Sequence, residues 1–442
     1  MPDPAPTPIA GSAFDAHHPP SNEIIENCVH CGFCLPVCPT YVLWGQEMDS
    51  PRGRIYLMKL ASEGATKMTS NWVSHFDSCL GCMACMPACP SGVDYGKLIE
   101  ATRAQIERNT ERSPGEKRYR RFLFENFTRP ERLKRMRLPL LAYQKSGLQA
   151  VVRASGMLKL FPKRLQVLES LVPRLGPSEY VAELTPASGT KRLRVGLLLG
   201  CVQREFFPQV NAATARVLAA EGCEVFAPQT QPCCGALLVH AGEEAAALEL
   251  AKKIIDAFED SNVDAIVSNA AGCGSNVKDY AHLLRDDPSY ADRARSFSAK
   301  CKDISEILAG LDPRATRHPL KLRVAFHDSC HLQHAQGVRS QPRTLLSKIS
   351  ELQLAEIPES AICCGSAGIY NLVQPLAANA IGDRKASLIA PLKADVVATG
   401  NPGCLLQLQA SLARNGQRTP VVHTIQLLDA SIRGTDLKTL LK

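Results

Sequence analysis

Cysteine spacing restricts this chain more than any other feature. Cys28, Cys31, Cys34 and Cys38 are followed by Pro39, and Cys79, Cys82, Cys85 and Cys89 repeat the same intervals and are followed by Pro90. Three thiols at intervals of three residues put their sulfurs on one side of a tight loop, where they can cap three corners of an iron–sulfur cube. This spacing, down to the proline, is the one with which bacterial ferredoxins hold 4Fe–4S clusters, and in two-cluster proteins the fourth cysteine of each run binds the other cluster. The expected ligand sets are therefore crossed: Cys28, Cys31, Cys34 and Cys89 for one cluster, Cys79, Cys82, Cys85 and Cys38 for the second. Pro39 and Pro90 keep a helix from running through the fourth ligand, and Gly32 and Gly81 relieve crowding within the loops. Zinc also uses paired cysteines, but it gains nothing from a third evenly spaced thiol and a Cys-Pro, twice over. Two such clusters move single electrons.

With 442 residues the chain is long enough for two or three domains with their own cores. Eighteen cysteines at this length are not the disulfide framework of a small secreted domain. They fit thiols that serve metal in a reducing, cytoplasmic compartment. The first twenty residues are Pro-rich, with no Lys or Arg and no apolar run, so residues 1–22 are expected to be a disordered tail and not a signal peptide. No apolar stretch of about 18 residues predicts a membrane span, which leaves peripheral contact with a membrane's cytoplasmic face as the association foreseen. The net charge is +8, and from Arg103 to Arg137 twelve Lys or Arg stand against five Asp or Glu. Nearly all the excess thus lies in one helix-compatible segment (116–128, then 132–144). That segment is either a solvated connector or a docking surface for an acidic partner or anionic lipid headgroups. Nucleic acid is not an expected partner, because no recognition motif accompanies the charge.

Beyond a loose stretch at 173–190 the chain repeats itself. Cys201, the pair Cys233-Cys234 before Gly235, and Cys273 match Cys330, the pair Cys363-Cys364 before Gly365, and Cys404, at offsets of 129, 130 and 131 residues. Such near-constant spacing means two copies of one domain. In the first copy strands are predicted at 194–199, 224–227 and 264–268, with helices at 211–220 and 243–259. In the second, strands are predicted at 323–327, 353–357 and 395–399, with helices at 341–350 and 375–392. Alternation of this kind implies a parallel sheet with right-handed crossovers. The marked cysteines then fall beyond the carboxyl ends of strands, where open α/β sheets keep their sites. Each set of four thiols should converge. A vicinal pair suits a cluster or a redox-active dithiol better than one tetrahedral ion, and buried structural cysteines are the plain alternative. Cys223 and Cys301 fall outside the repeat and are expected to be buried as small apolar residues. His327, His331 and His334 flank the second set and could tune or ligate a metal there.

The sequence around Cys28–Cys34, the stretch Asp49–Leu57, the paired Cys-Cys-Gly domains and the run Cys363–Gly368 resemble the iron–sulfur subunits of bacterial glycolate oxidases, from about Glu23 to the C-terminus. Anaerobic glycerol-3-phosphate dehydrogenase small subunits, lactate-utilisation proteins and heterodisulfide reductases are more distant likenesses. The resemblance implies flavin-bearing partner chains that oxidise glycolate to glyoxylate, two 4Fe–4S clusters on this chain, and a quinone or other acceptor. The chain itself lacks a Gly-x-Gly-x-x-Gly after a strand; the near match Gly272-Cys273-Gly274 has no third glycine. A flavin would therefore come from a partner. The heterodisulfide reductase-like pattern ends each repeat in Cys-x-x-Cys, whereas Ala270 and Asn401 stand three residues before Cys273 and Cys404 here. Each repeat is one thiol short, which leaves open whether further clusters occupy the two repeats.

The reading is α+β overall: an α-helical ferredoxin-type domain at 23–105, a basic helical connector at 106–190, and α/β repeats at 191–315 and 316–442. Ser50 and Pro51 fit the N-cap and first position of a helix, with Arg52 and Arg54 placed to donate to cluster sulfurs or to a partner. The favoured function is electron transfer within a glycolate dehydrogenase. The rivals are the same role in a lactate or glycerol-3-phosphate dehydrogenase, and thiol–disulfide reduction at the Cys-Cys-Gly pairs.

Overall fold

The computed structural model describes residues 11–176 and 178–436. Residues 1–10 of the expected tail lie outside them. Residues 11–21 are not a free tail. Phe14 is buried against Trp72 with ring centroids 6.2 Å apart, and Asp15 is gripped by Gln105 and Arg108. His18 bridges Glu244 and Asp286 at 2.8 Å each. These partners lie far away in sequence, so local composition could not reveal them.

The N-terminal domain is helical. Its helices Pro51–Ser62, Ser70–Asp77 and Tyr95–Asn109 bury Met58, Trp72, Phe76 and Leu98 in one core. Ser50 caps the first of them by accepting from Gly53 N–H, and Pro51 occupies its first turn. The expected domain boundary at 105 falls inside the helix Tyr95–Asn109, and the break comes instead before the next helix, Pro114–Phe127. That helix and Pro130–Lys145 form the connector. Much of its charge is internal: Arg112 pairs with Asp77, Glu107 and Glu116, and the buried Arg137 donates to the carbonyls of Glu205 and Gly176. The connector's excess charge is thus in part structural, which trims the docking surface expected from its sequence.

Both repeats carry parallel sheets. In the first, β1 (Leu184–Thr185), β2 (Leu193–Leu198), β3 (Cys223–Phe226), β4 (Ala265–Ser268) and β5 (Cys301–Asp303) lie in the order β1-β3-β2-β4-β5, with only β1 antiparallel. In the second, β6 (Leu322–Phe326), β7 (Leu352–Glu356), β8 (Val396–Thr399) and β9 (Val421–His423) lie in the order β7-β6-β8-β9, all parallel. The six expected strands and their helices are present to within a few residues. The fourth parallel strand of each repeat, β5 and β9, was not foreseen, because three residues are too few to show a period. Their signal was the capping box that follows: Asp303 with Glu306, and His423 with Gln426. β1 also brings the first sheet's start back into the stretch assigned to the connector. Cys223 opens β3 and Cys301 opens β5, both buried.

The repeats pack reciprocally. The helix after the first strand of each, Pro208–Ala220 or Ser340–Ser347, lies on the last helix of the other, Thr424–Arg433 or Ile304–Ala309. One core runs between the sheets and draws Val195 and Val217 from the first repeat and Val324 and Leu428 from the second. Arg216 grips Asp429 with a bidentate contact across this joint. His423 sits at its centre, with Nε2 donating to the carbonyl of Asn269 at 2.7 Å and Nδ1 accepting from Ile425 N–H at 3.1 Å.

Burial holds His423 neutral and lowers its pKa from 6.5 to about 4. The unfolded chain therefore binds the extra proton between those values, and stability falls as pH drops below 6.5. We expect this residue to contribute a loss of about 1.4 kcal/mol per pH unit in that window. Unfolding measured between pH 7.5 and 5.5 should show a shallower dependence in His423→Gln; an unchanged slope would contradict the assignment.

Candidate metal centres

The first cysteine run lies in a surface loop. Cys28, Cys31, Cys34 and Cys89 line one small cavity, with Arg52 against its wall. Cys31 is exposed, and its neighbours Val29 and Phe33 are 68% and 65% exposed. Cys38, Cys79, Cys82 and Cys85 line a second, deeper cavity in which all four thiols are buried. Cys85 lines both. The fold thus brings together the two crossed sets. Each loop turns left-handed at matching places: His30 and Gly32 in the first, Gly81 and Met83 in the second. Such reversals of backbone hand turn successive N–H groups toward an anion. Cys38 is the N-cap of the helix Pro39–Trp44, so that proline starts a helix just beyond the fourth cysteine.

Charge around the deeper cavity is arranged for thiolates. Arg54 is fully buried beside Cys38 and Cys79, and donates to His75 O, Thr40 Oγ1 and Ser78 Oγ. Burial alone would push the Cys79 thiol up, but Arg54 and Arg103 overcome it and hold its pKa below the ordinary value. At Cys34 burial outweighs the backbone contact from Arg52 and pushes the thiol up to about 11. Arg52 is committed to Glu47 and to the carbonyl of His30, so it braces the outer loop.

The thiols of the repeats also converge. Cys233 Sγ lies 3.4 Å from Cys201 Sγ, and Cys234 contacts Cys233 and Cys273. In the second repeat Cys330 and Cys363 are 3.9 Å apart, and Cys364 contacts Cys363 and Cys404. The Cys-Cys-Gly glycine makes this geometry. Gly235 and Gly365 have φ of +84° and +91°, and their N–H groups donate to Cys233 and Cys363 Sγ at 3.5 and 3.4 Å. That left-handed turn sends adjacent sulfurs to different neighbours.

His327 lies beside Cys364 and Cys404, with one donor atom from each of the three within 4.8 Å of the others. Contact with Cys364 draws the Cys404 thiol down to about 5, with His327 adding to the effect. His331 Nδ1 meets Cys330 Sγ at 3.5 Å, and His334 Nε2 is spent on the carbonyl of Ala361. Sulfur-rich and largely buried, these donor sets fit iron–sulfur chemistry.

Sequence reasoning did not foresee that the two kinds of site adjoin. Cys82 of the inner loop packs in one apolar cluster with Cys363, Cys364 and Cys404, together with Leu80 and Ala84. Beside this junction lies a cavity of about 300 Å³. Cys79, Arg103, His240, His331 and Tyr370 are among its walls, and Tyr370 Oη, His240 Nε2 and His331 Nε2 have no hydrogen-bond partner.

A two-loop cysteine domain feeding a duplicated thiol domain defines an iron–sulfur electron-transfer protein. The family comparisons say the same. Residues 24–93 match the 4Fe-4S dicluster domain, 195–278 and 324–409 match the cysteine-rich domain, and 115–172 match the linker region of glycolate oxidase iron-sulfur subunits. The chain is 40% identical over 420 residues to the probable glycolate oxidase iron-sulfur subunit of Bacillus subtilis (strain 168), covering 93% of this chain and 94% of that protein. It is 35% identical over 421 residues to the glycolate oxidase iron-sulfur subunit of Escherichia coli (strain K12), covering 93% and 95%. Lactate utilization protein A of Bacillus subtilis (strain 168) is 30% identical over 242 residues, 54% of this chain and 100% of that protein. The chain belongs to the glycolate oxidase iron–sulfur subunit family.

A Cβ at Gly365 would sit 2.5 Å from the carbonyl oxygen of Ala378, whereas at Gly235 the nearest atom, Ala247 O, is 3.3 Å away. Gly365→Ala is expected to cost about 1–3 kcal/mol and Gly235→Ala less. Denaturant unfolding of the two variants checks this, and equal losses would contradict it.

Proposed function

We propose that this chain is the electron-transfer subunit of a multisubunit glycolate dehydrogenase. It would take electrons from a flavin on a partner chain that oxidises glycolate to glyoxylate, and deliver them to a quinone-type acceptor. The observation that carries the reading is the unbroken run of cysteine sites, from the exposed Cys28–Cys34 loop through the buried Cys79–Cys85 loop to the thiols of the second repeat. Cys28, Cys31, Cys34 and Cys89 would hold the outer 4Fe–4S cluster, and Cys79, Cys82, Cys85 and Cys38 the inner one. Bound clusters supply one-electron steps between a two-electron donor and a two-electron acceptor. Val29 and Phe33 give the outer loop an apolar rim against which a flavin-bearing partner can dock. Arg54 and Arg103 offset the negative charge of the inner thiolates. Tyr370, His240 and His331 offer hydrogen bonds to the oxygens of a quinone headgroup in the cavity beside Cys79.

The test is anaerobic purification with partner chains. The complex should contain flavin, and glycolate should bleach the cluster absorbance. Bleaching by lactate or glycerol-3-phosphate but not by glycolate would move the substrate to a relative's. Loss of disulfide reduction in Cys363→Ser with glycolate oxidation intact would favour the thiol–disulfide rival.

The linker supports a peripheral membrane contact. Leu138, Leu148, Val151, Leu160, Phe161 and Leu165 are each at least half exposed, and the exposed Lys145, Lys159 and Lys163 stand among them. Apolar side chains interleaved with lysine suit an anionic bilayer surface. No helix among the described residues is long and apolar enough to cross a membrane. The chain should sediment with vesicles containing anionic lipid and release at high salt, and Leu160→Asp with Phe161→Asp should weaken the binding at least tenfold. Equal binding by the double variant would contradict this surface.

A further inference from the structure

The two repeats match in their cysteines but differ at one buried position. His327 stands three residues before Cys330, just beyond β6. The matching residue three before Cys201 is Leu198, at the end of β2, where it packs in the apolar cluster around Cys234 and Cys273. His327 is 2% exposed, and its ring nitrogens find no oxygen or nitrogen partner; the group they meet is the Cys404 thiol. A buried polar group without a full set of partners is destabilising, so a ligand there would be favoured. The ring's neighbours are sulfurs: one nitrogen and the Sγ atoms of Cys364 and Cys404 all lie within 4.8 Å of one another.

Asn401 stands where a further cysteine would complete the Cys-x-x-Cys pattern, and it is already engaged. Its Nδ2 donates to Cys404 Sγ at 3.6 Å, and its Oδ1 accepts from Gly272 N–H of the first repeat at 3.2 Å. It ties the two repeats together and is not free to ligate. The second repeat is therefore short of one thiol and holds one buried imidazole beside Cys364 and Cys404, whereas the first repeat is short of the thiol and has leucine at the position that matches His327.

We propose that His327 is a nitrogen ligand of an iron–sulfur centre held by Cys330, Cys363, Cys364 and Cys404, and that the first repeat has no counterpart. This rests on the reading that the second repeat carries such a centre. Imidazole in place of thiolate removes a negative charge and raises the reduction potential, as it does where two histidines replace two cysteines in Rieske centres. The site next to Cys82 then becomes the more readily reduced end of the row, and electrons arriving at the inner loop are drawn into the second repeat.

The test uses the full chain, purified anaerobically and reduced with dithionite, so that it does not depend on glycolate or on a partner. Pulsed electron paramagnetic resonance should show a directly coordinated nitrogen in the wild type. His327→Cys should retain the iron, lose that coupling, and move the midpoint of one centre downward by at least tenfold in its equilibrium, about 59 mV for one electron. His331→Ala should keep the coupling. Absence of nitrogen coupling in the wild type, or its survival in His327→Cys, overturns the proposal. Failure of glycolate to reduce the complex while the coupling is present would overturn the substrate reading and leave this one standing.

Discussion

Thiolates cannot be buried side by side without cations, and the rest of this structure follows from that constraint. At the junction of the inner cysteine loop with the second repeat, Cys82, Cys363, Cys364 and Cys404 share one apolar cluster. Removing charged sulfur from water carries a penalty of several kcal/mol per group. The protein offsets part of it with Arg54 and Arg103 at Cys79, and the buried Lys385 stands near Cys363 and Cys364 in the second repeat. In the first repeat burial and mutual contact push the thiols of Cys201, Cys233 and Cys234 up, toward the neutral form. The helical domain, the connector and the two repeats are arranged so that this junction is enclosed: Arg103 reaches from the helical domain to the carbonyl of His240 in the first repeat, and Arg120 reaches from the connector to Ala241 O.

Enclosure also gives the row a direction. The outer loop exposes Cys31 with Val29 and Phe33, while Cys79, Cys82 and Cys85 of the inner loop are buried. A protein partner can approach the outer set closely. At the far end the two repeats are locked by Arg216 with Asp429 and by His423 with Asn269, which fixes the second repeat's thiols against Cys82. The duplication is thus used unequally. The first repeat packs Leu198 around its thiols, whereas the second presents His327 and packs its thiols with Cys82 of the inner loop.

The sequence was most legible where chemistry dictates spacing. Two runs of four cysteines with Cys-Pro led directly to two cavities with crossed walls, and offsets of 129 to 131 residues led to two parallel sheets with thiols past their strand ends. What stayed hidden was long-range. Phe14 and Asp15 look like parts of a polar tail until Trp72 and Gln105 meet them. The charge of Arg112 and Arg137 reads as a basic surface until Asp77 and the carbonyl of Glu205 absorb it. β5 and β9 are too short to show a period. The meeting of Cys82 with Cys363 joins residues far apart in the chain through packing, which no local pattern encodes.

On the proposed reading, the row of metal centres continues from the two cysteine loops into the second repeat. Iron and acid-labile sulfide analysis of the anaerobically purified full chain tests it most directly. Two ferredoxin-type clusters alone account for about eight irons. More than that is expected, with Cys363, Cys364 and Cys404 protected from alkylation until the iron is removed. A value of about eight, with those three thiols freely alkylated in the iron-loaded protein, would contradict it.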